Sequence, residues 1–235
     1  MNEAARTHTL VLLRHGHSEW NLTNRFTGWT DIPLTEVGLA EAAEAGRLLA
    51  ARRYAFDEAH ISILQRTRQT AEQVLQAMRT PSVPIFSTWR LNERHYGALQ
   101  GMNKQEIFAT WGEQKSRKWW RGYVEPPPPL DLDDPRHPRF DPLFAEVPAH
   151  ALPVSESLAD CQRRMLPYWH KTLVPAIQAG QRLLVVSHGN TLRGLIMHLE
   201  NLSAEEMEHV EIPSGVPLIY QLSENLAVLR KKQLT

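Results

Sequence analysis

The chain has 235 residues, and its 26 Lys and Arg residues balance 26 Asp and Glu residues, so the formal net charge is zero. That balance argues against a non-specific nucleic-acid binder, which would carry a clear basic excess, and the length is ample for a buried core. A single Cys excludes an internal disulfide and a zinc site built on paired cysteines, whereas eleven His and seven Trp residues stand out.

Short apolar runs alternate with amphipathic helical patterns along the chain. In chain order, we predict a strand at 9–13, a helix capped by Thr35, a strand at 59–64, a helix through 71–78, a strand at 83–86, a helix from Asn103 towards Arg117, a long helix at 158–177, a strand at 183–186, a helix at 192–199, a helical turn capped by Ser203, and a last strand at 218–222. Pro167 and Pro175 are expected to kink or end the long helix. This alternation is typical of an α/β domain with a mostly parallel sheet.

The segment 125–153 interrupts this rhythm with four consecutive prolines at 126–129 and further prolines up to Pro153. Because it is too long for a simple connection, we expect a functional excursion or a lid. The chain shows no internal repeat and no second compositional regime, so we predict one domain over 1–235. The polar N-terminus has no signal-peptide pattern and no apolar stretch is long enough to span a membrane, which predicts a cytoplasmic protein.

Two of the predicted buried strands end in the same dipeptide, His-Gly. Arg14-His15-Gly16 follows the first strand, and Ser187-His188-Gly189 follows the strand at 183–186. Ligands of open α/β sheets bind just beyond the carboxyl ends of strands, so the two histidines could face each other across one crevice. Either histidine alone would more often be an ordinary loop or core residue, but the repetition favours a shared site.

The neighbours of His15 indicate phosphoryl chemistry. Arg14 can bind phosphate or carboxylate through two hydrogen bonds, and a neutral imidazole can attack phosphorus. The chain has no GxxxxGK[ST] or GxGxxG loop, and the stretch 16–20 misses the GxSxG pattern of serine hydrolases at its last position. A metal site formed by His15, His17 and His188 stays open as an alternative, although Arg14 would repel a divalent cation.

Longer motifs around these residues carry a family resemblance. They are Arg14-His15-Gly16, Ser18-Glu19-Trp20-Asn21, Arg25-Phe26-Thr27-Gly28-Trp29, the stretch 91–101 (LNERHYGALQG), the stretch 187–193 (SHGNTLR) and the stretch 212–217 (IPSGVP). Together they resemble the histidine phosphatase superfamily, and the stretches 91–101, 187–193 and 212–217 resemble the cofactor-dependent phosphoglycerate mutases. The resemblance runs over nearly the whole chain. It implies a three-layer α/β/α fold with a mostly parallel central sheet, and a homodimer or homotetramer.

The resemblance also implies roles for individual residues. His15 would become phosphohistidine, and Glu93 would donate and accept the proton of the substrate hydroxyl. Arg14, Arg66 and His188 would hold the transferring phosphoryl group. The residues implied in substrate binding are Arg14, Gly16, His17, Ser18, Asn21, Thr27, Gly28, Arg66, Glu93, Arg94, His95, Tyr96, Lys104, Trp120, Arg121, Gly189 and Asn190.

The implied reaction is the interconversion of 2-phosphoglycerate and 3-phosphoglycerate in glycolysis and gluconeogenesis. 2,3-Bisphosphoglycerate would serve as the cofactor that primes the phosphohistidine, and no metal would be needed. The implied partners are small phosphoglycerates, with neither nucleic acid nor membrane.

Three features depart from the family pattern. His17 stands where Glu or Gln is usual, Trp120 stands where the first of two adjacent arginines is usual, and the chain ends at Thr235, soon after the last predicted strand. A missing arginine would weaken substrate binding by roughly 1.5–3 kcal/mol, and a more open site would favour hydrolysis of the phosphoenzyme. The alternative function is therefore a phosphohistidine-dependent phosphatase, or a bisphosphoglycerate mutase or phosphatase, acting on small phosphate esters. A non-catalytic binding module would be expected to lack His15 or Glu93.

Overall fold

The computed structural model describes residues 7–235 and contains a central six-stranded sheet. Its strands are β1 (His8–Arg14), β2 (Glu58–Ile61), β3 (Ile85–Ser87), β4 (Leu183–Ser187), β5 (Pro217–Leu222) and β6 (Val228–Gln233). Their order across the sheet is β3-β2-β4-β1-β5-β6. Strands β1 to β4 run parallel to one another, whereas β5 and β6 are antiparallel to their neighbours. The predicted α/β domain with a mostly parallel sheet is confirmed.

Strands β1 and β4 are neighbours in the middle of the sheet and end at the same level. Leu10 pairs with Leu183, and Arg14 pairs with Ser187. The backbone N–H of His15 donates to the Ser187 carbonyl at 3.0 Å. The parallel register therefore brings the two His-Gly strand ends side by side, where open α/β sheets bind their ligands.

Helices cover both faces of the sheet. In chain order, the helices of the described residues are α1 (Glu19–Leu22), α2 (Glu36–Ala51), α3 (Gln65–Ala77), α4 (Lys104–Trp111), α5 (Glu113–Arg121), α6 (Leu158–Tyr168), α7 (Val174–Gln178), α8 (Gly189–Glu200) and α9 (Ala204–Glu208). Because successive strand residues point to opposite faces, Leu10 and Leu12 pack with α6 and α8, whereas Val11 and Leu13 pack with α2 and α3. These two apolar cores make the three-layer arrangement. Within residues 7–235, no helix combines the length and the apolar character needed to cross a membrane.

Several element boundaries differ from the sequence-based predictions. The last strand is β6 rather than β5, and β6 has no buried apolar pattern because it lies at the edge of the sheet. Strand β3 begins at Ile85, the helix predicted from Asn103 is interrupted at Gly112, and α8 begins at Gly189. Pro167 is the last residue but one of α6, and the chain passes from α6 through a π-helical turn, Trp169–Leu173, into α7, whose first turn contains Pro175.

The proline-rich segment 125–153 folds onto the domain through short 3-10 turns. These turns are Pro138–Phe140, Pro142–Phe144 and Ala149–Ala151. The ring of Phe144 packs against Trp29 with centroids 5.1 Å apart. Arg136 donates to two main-chain carbonyls of the loop that precedes α4, at 3.2 and 3.1 Å. The segment is therefore anchored to the domain by an apolar contact and by hydrogen bonds.

A buried ion pair holds the loop 89–95. Arg164 of α6 donates to both carboxylate oxygens of Glu156 at 2.6 and 2.9 Å, and each side chain is only 6% exposed. The same guanidinium donates to the carbonyls of Trp89, Arg90, Asn92 and Glu93 at distances between 2.9 and 3.1 Å. Glu156 also accepts the backbone N–H of His95 at 2.9 Å. One pair of side chains therefore fixes both ends of a loop that has little regular structure of its own.

Replacing Arg164 with Met is expected to lower the free energy of unfolding by about 3–5 kcal/mol, because Glu156 is left as a buried charge without its partner. Arg163→Met is the matched control: Arg163 is exposed and pairs with Asp160 at the surface, so we expect a loss below about 1 kcal/mol. Urea denaturation followed by circular dichroism measures both variants. Equal stability of Arg164→Met and the wild type would contradict the role assigned to this ion pair.

Candidate active site

A cavity of about 140 Å³ opens at the carboxyl ends of β1 and β4. Thirteen residues predicted from the sequence line it: Arg14, His15, Asn21, Thr27, Gly28, Arg66, Glu93, Tyr96, Lys104, Trp120, Arg121, Gly189 and Asn190. Five further residues complete the wall, namely Arg25, Phe26, Arg193, Glu211 and Ile212. The lining brings six Arg and Lys side chains together with two carboxylates, so the cavity suits a small anion of high charge.

His15 is held as a neutral imidazole with one nitrogen available for attack. Its Nδ1 lies 2.7 Å from the carbonyl oxygen of Gly16. Because a carbonyl oxygen only accepts, Nδ1 must carry the proton, and Nε2 keeps its lone pair. Burial lowers the pKa of His15 well below its ordinary value, and the charges of Arg66 and Arg14 lower it further. The ring is therefore unprotonated at neutral pH, as a nucleophile must be.

The backbone around His15 is fixed by a close approach of two glycines. A Cβ on Gly16 would lie 2.2 Å from the carbonyl oxygen of Gly38, and a Cβ on Gly38 would lie 2.1 Å from that of His17. Only glycine allows the strand end and the first turn of α2 to approach so closely. Thr35, the N-cap of α2, adds two hydrogen bonds, because its N–H and its hydroxyl both donate to the His17 carbonyl, at 2.9 and 3.1 Å.

Arg66 is a buried cation beside His15. Its side chain is 1% exposed, and its guanidinium donates to the carbonyls of Gly28 and Thr30 at 2.8 and 2.9 Å. Gly28 has a φ of +56°, a conformation that favours glycine, and this turn presents its carbonyl to Arg66. Burial lowers the pKa of Arg66 to about 10, so the group is still charged at neutral pH. A permanent positive charge next to the nucleophile is what a phosphoryl group requires.

His188 contacts both Arg66 and His15. Arg66 Nε donates to His188 Nδ1 at 3.3 Å, so the proton of the neutral ring is on Nε2, which donates to Ser62 Oγ at 2.8 Å. Burial and then Arg66 lower the pKa of His188 well below its ordinary value. The rings of His188 and His15 meet edge to face with centroids 5.0 Å apart. The two histidines do face each other, but His188 is buried beneath the cavity rather than part of its lining.

Glu93 faces the cavity from the loop that the buried ion pair fixes. Its Oε1 accepts the backbone N–H groups of Arg94 at 2.8 Å and Asn190 at 3.2 Å. Asn190 lies in the first turn of α8, where the helix dipole favours a negative charge. A Cβ on Gly189 would lie 3.7 Å from Arg14 Nε and 3.9 Å from Glu93 Oε2, so these two groups approach the same position. A carboxyl group is thus placed beside the arginines, where it can exchange a proton with a bound ligand.

A second group of cations lies on α4 and α5. Lys104 Nζ is 5.4 Å from the ring centroid of Trp120, and Arg121 Cζ is 5.0 Å from the same centroid. The aromatic ring stabilises two like charges that would otherwise repel each other. Burial, together with the charges of Arg14 and Arg121, lowers the pKa of Lys104 to about 8. Trp120 therefore does more than stand in the place of an arginine. It lines the cavity, and its ring holds the cations of Lys104 and Arg121 near each other.

Arg193 is a cavity residue that was not among the predicted site residues, although it ends the motif 187–193. It lies one turn after Asn190 on α8 and is 3% exposed, and burial lowers its pKa to about 10. Its two terminal nitrogens donate to Asn190 Oδ1 and to the carbonyls of Arg121 and Met207. Within residues 7–235, the buried Nε groups of Arg193 and Arg14 have no hydrogen-bond partner. A bound anion would satisfy such donors.

The remaining additions to the wall come from two loops. Arg25 and Phe26 stand in the quoted motif 25–29, next to Thr27 and Gly28. Ile212 stands in the motif 212–217, and its carbonyl accepts from Arg14 Nη1 at 2.9 Å. The family motifs could therefore have indicated Arg25, Phe26 and Ile212. Glu211 directly precedes the motif 212–217, so no motif indicated it.

Five predicted substrate-binding residues lie outside the cavity lining, namely Gly16, His17, Ser18, Arg94 and His95. His17 is exposed, and its Nδ1 lies 2.7 Å from Glu41, so its side chain is directed to a surface carboxylate and its contact with substrate stays a prediction. Gly16 acts through the glycine contact. Ser18 is the N-cap of α1, and it donates to Asn21 Oδ1 at 2.9 Å, which leaves the Asn21 Nδ2 group for the cavity.

Arg94 and His95 are buried behind the cavity wall. Arg94 donates to two carbonyls at the end of α5, and its Cζ lies 4.6 Å from the ring centroid of Tyr96. His95 donates its backbone N–H to Glu156, and burial lowers the pKa of its ring to about 3, so the ring is neutral. Both residues support the wall, and their contact with substrate stays a prediction.

The proline-rich segment 125–153 contributes no residue to the cavity lining, and its expected action as a lid stays a prediction. It packs against Trp29 instead. In the described part of the chain, no three His, Cys, Asp or Glu side chains are grouped as they would need to be to hold a metal ion. His17, a ligand of the alternative metal site, binds Glu41 at the surface. The arrangement is that of an anion site with a nucleophile and a proton carrier.

Known proteins share both the sequence pattern and the fold. The model of the histidine phosphatase superfamily (branch 1) matches residues 10–139 and 133–231. A mycobacterial glucosyl-3-phosphoglycerate phosphatase is 22% identical, with a TM-score of 0.69 over 91% of this chain and 92% of that one. An alpha-ribazole phosphatase from Shigella flexneri is 23% identical, with a TM-score of 0.67 over 94% of each chain. A mycobacterial hydrolase is 21% identical, with a TM-score of 0.71 over 97% of each chain.

These likenesses extend over almost the whole length of the chain. The structures establish the shared fold, and the family model covers the strand ends that carry His15 and His188 as well as the loop that carries Glu93. This chain therefore belongs to the histidine phosphatase superfamily, branch 1.

Proposed function

We propose that this chain transfers phosphoryl groups from small phosphorylated carboxylic acids through a covalent phosphohistidine on His15. The observation that carries the proposal is the neutral His15, whose Nε2 keeps its lone pair inside a cavity with six cationic side chains. Glu93 lies in the same lining and supplies the proton carrier. A nucleophile, a cationic cradle and a carboxyl group together are the parts that phosphoryl transfer requires.

The proposed reaction has two steps. In the first, Nε2 of His15 bonds to phosphorus while the bond from phosphorus to the ester oxygen breaks. Arg14 and Arg66 offset the negative charge of the phosphoryl oxygens, and the Glu93 carboxyl group gives a proton to the departing oxygen. In the second step, water or a hydroxyl group attacks the phosphohistidine, Glu93 takes its proton, and Nε2 regains its lone pair.

The cavity supports a substrate with a second anionic group. It measures only about 140 Å³, and Lys104 and Arg121 add positive charge on elements separate from those of Arg14 and Arg66. A phosphorylated three-carbon acid carries a phosphate and a carboxylate at its two ends and suits this charge distribution. One solved relative is named for a substrate that contains 3-phosphoglycerate, which agrees with this substrate class.

Two fates of the phosphohistidine are supported by different observations. Hydrolysis, the reaction of a phosphatase, agrees with the family and with the two relatives that are named phosphatases. Transfer to 2- or 3-phosphoglycerate, the reaction of a mutase, is supported by the stretch 91–101 and by the second cationic group at Lys104 and Arg121. In the second case, 2,3-bisphosphoglycerate would supply the first phosphoryl group to His15. The Nε groups of Arg14 and Arg193, which have no hydrogen-bond partner among the described residues, suit such a ligand.

A paired product assay separates the two fates. With 3-phosphoglycerate as substrate and 2,3-bisphosphoglycerate added, a phosphatase releases mainly inorganic phosphate, whereas a mutase forms mainly 2-phosphoglycerate. We expect both products to disappear in His15→Ala, and to fall by about 10²-fold or more in Glu93→Gln, because its amide cannot exchange a proton. If the wild type forms neither product, the proposed substrate class is wrong.

Incubation with 2,3-bisphosphoglycerate that carries a labelled phosphate should leave label on His15. The adduct should be labile in acid and stable in base, as a phosphohistidine is, and peptide mapping should locate it. His15→Ala should take up no label, whereas His150→Ala, which removes an exposed imidazole, should be labelled like the wild type. Undiminished labelling of His15→Ala would refute the assignment of the nucleophile.

The affinity for 3-phosphoglycerate should fall as the pH rises through about 8, the value to which burial lowers the pKa of Lys104. Binding an anion favours the charged amine, so the affinity should decrease by up to about tenfold per pH unit above that value. Calorimetric titration between about pH 7 and about pH 9.5 measures the affinity for 3-phosphoglycerate. In Lys104→Arg the affinity should hardly depend on pH over this range, because a guanidinium stays charged. The same decline in Lys104→Arg would assign the effect to another group.

A further inference from the structure

Glu211 is the cavity carboxylate for which the proposed reaction has no use. It lies in the loop between α9 and β5 and lines the cavity together with the six cationic side chains. Its carboxylate forms an ion pair with Arg121 Nη2. In the free protein, the Glu211 carboxylate is therefore already paired with Arg121, one of the cations that would bind an anionic ligand.

The loop that carries Glu211 is bound to two cavity arginines. The carbonyl of Ile212 accepts from Arg14 Nη1 at 2.9 Å, and the carbonyl of Val210 accepts from Arg121 Nη1 at 3.5 Å. The backbone carbonyl of Arg14 in turn accepts the N–H of Gly215 at 3.0 Å. These main-chain contacts place Glu211 next to Arg121, and its side chain then completes the set of acceptors around that guanidinium.

The two partners of this ion pair differ in their freedom to move. The Glu211 side chain is 73% exposed, whereas the Arg121 side chain is only 17% exposed. Arg121 also lies over the Trp120 ring, with its Cζ 5.0 Å from the ring centroid. A ligand can therefore displace the carboxylate of Glu211 into water at little cost in hydration while the guanidinium stays in position.

We propose that Glu211 is an internal competitor for the anionic second end of the substrate, a proposal that rests on the proposed function for the substrate class. A ligand whose second end is a carboxylate must displace Glu211 from Arg121, so its binding is weakened by the strength of that ion pair. A ligand whose second end is neutral leaves the pair intact and is not weakened. Glu211 thereby reduces the preference of the cavity for doubly anionic ligands and favours the release of an acidic product.

Two ligands that differ at one end test this proposal. 3-Phosphoglycerate and glycerol 3-phosphate have the same phosphate and the same number of carbons, but the second has a hydroxymethyl group in place of the carboxylate. Calorimetry on proteins that all carry His15→Ala measures binding without turnover. Adding Glu211→Gln should raise the affinity for 3-phosphoglycerate by about two- to fivefold and change the affinity for glycerol 3-phosphate by less than about 1.5-fold.

The matched control is Glu208→Gln, which removes an exposed carboxylate of α9 that does not line the cavity and should leave the ratio of the two affinities unchanged. In an Arg121→Met background, Glu211→Gln should no longer change that ratio, because the site of competition is gone. The proposal would be overturned by any of three results: an equal rise in affinity for both ligands, no rise for either, or no binding of 3-phosphoglycerate to the Glu211→Gln protein. A failure of the proposed function is recognised separately, because the wild type would then form no product in the paired assay.

Discussion

Arg164 and Glu156 form a buried ion pair that takes the place of secondary structure around Glu93. The loop 89–95 crosses the end of the sheet with one 3-10 turn, and its carbonyl groups would be buried without partners. One guanidinium serves four of these carbonyls, and the indole N–H of Trp29 donates to the Glu93 carbonyl as well, at 2.7 Å. Because buried main-chain groups must be paired, this arrangement leaves the loop few alternative conformations. The position of the proposed proton carrier is a consequence of that pairing.

The same electrostatic field acts on the nucleophile and on the ligand. Arg14 and Arg66 disfavour a proton on His15, and they attract the phosphate that His15 would attack. Burial makes both effects stronger than they would be in water. The net charge of the chain is zero, so this cationic cavity is a local concentration of charge that the composition conceals.

The sequence predicted those site residues that strand ends and long motifs identify. His15 and His188 follow the two central strands, and parallel pairing is enough to bring them together. His17 was predicted from its nearness to His15 in the sequence, but its side chain pairs with Glu41 of α2 outside the cavity lining, a tertiary contact that nearness in sequence does not reveal. Arg193 could have been expected from its position one helical turn after Asn190.

Other features depend on tertiary contacts that no local pattern reveals. Glu211 and Arg164 are charged residues in an ordinary loop and an ordinary helix, and only the folded chain brings them to Arg121 and Glu156. Strand β6 was missed for a different reason. It is an exposed edge strand rich in Lys and Arg, a composition that protects a sheet edge but carries no alternation of apolar residues.

The contact between Gly16 and Gly38 restricts how this site can evolve. The main chain of the nucleophile touches the main chain of α2 directly, so no exchange of side chains there can shift His15 in small steps. A single added methyl group would force the helix away from the strand end. The cavity wall, in contrast, includes side chains on α4, α5, α8 and the loop before β5, which can be exchanged without moving the main chain at His15. Substrate preference can therefore drift across related sequences while the attacking nitrogen stays in one place.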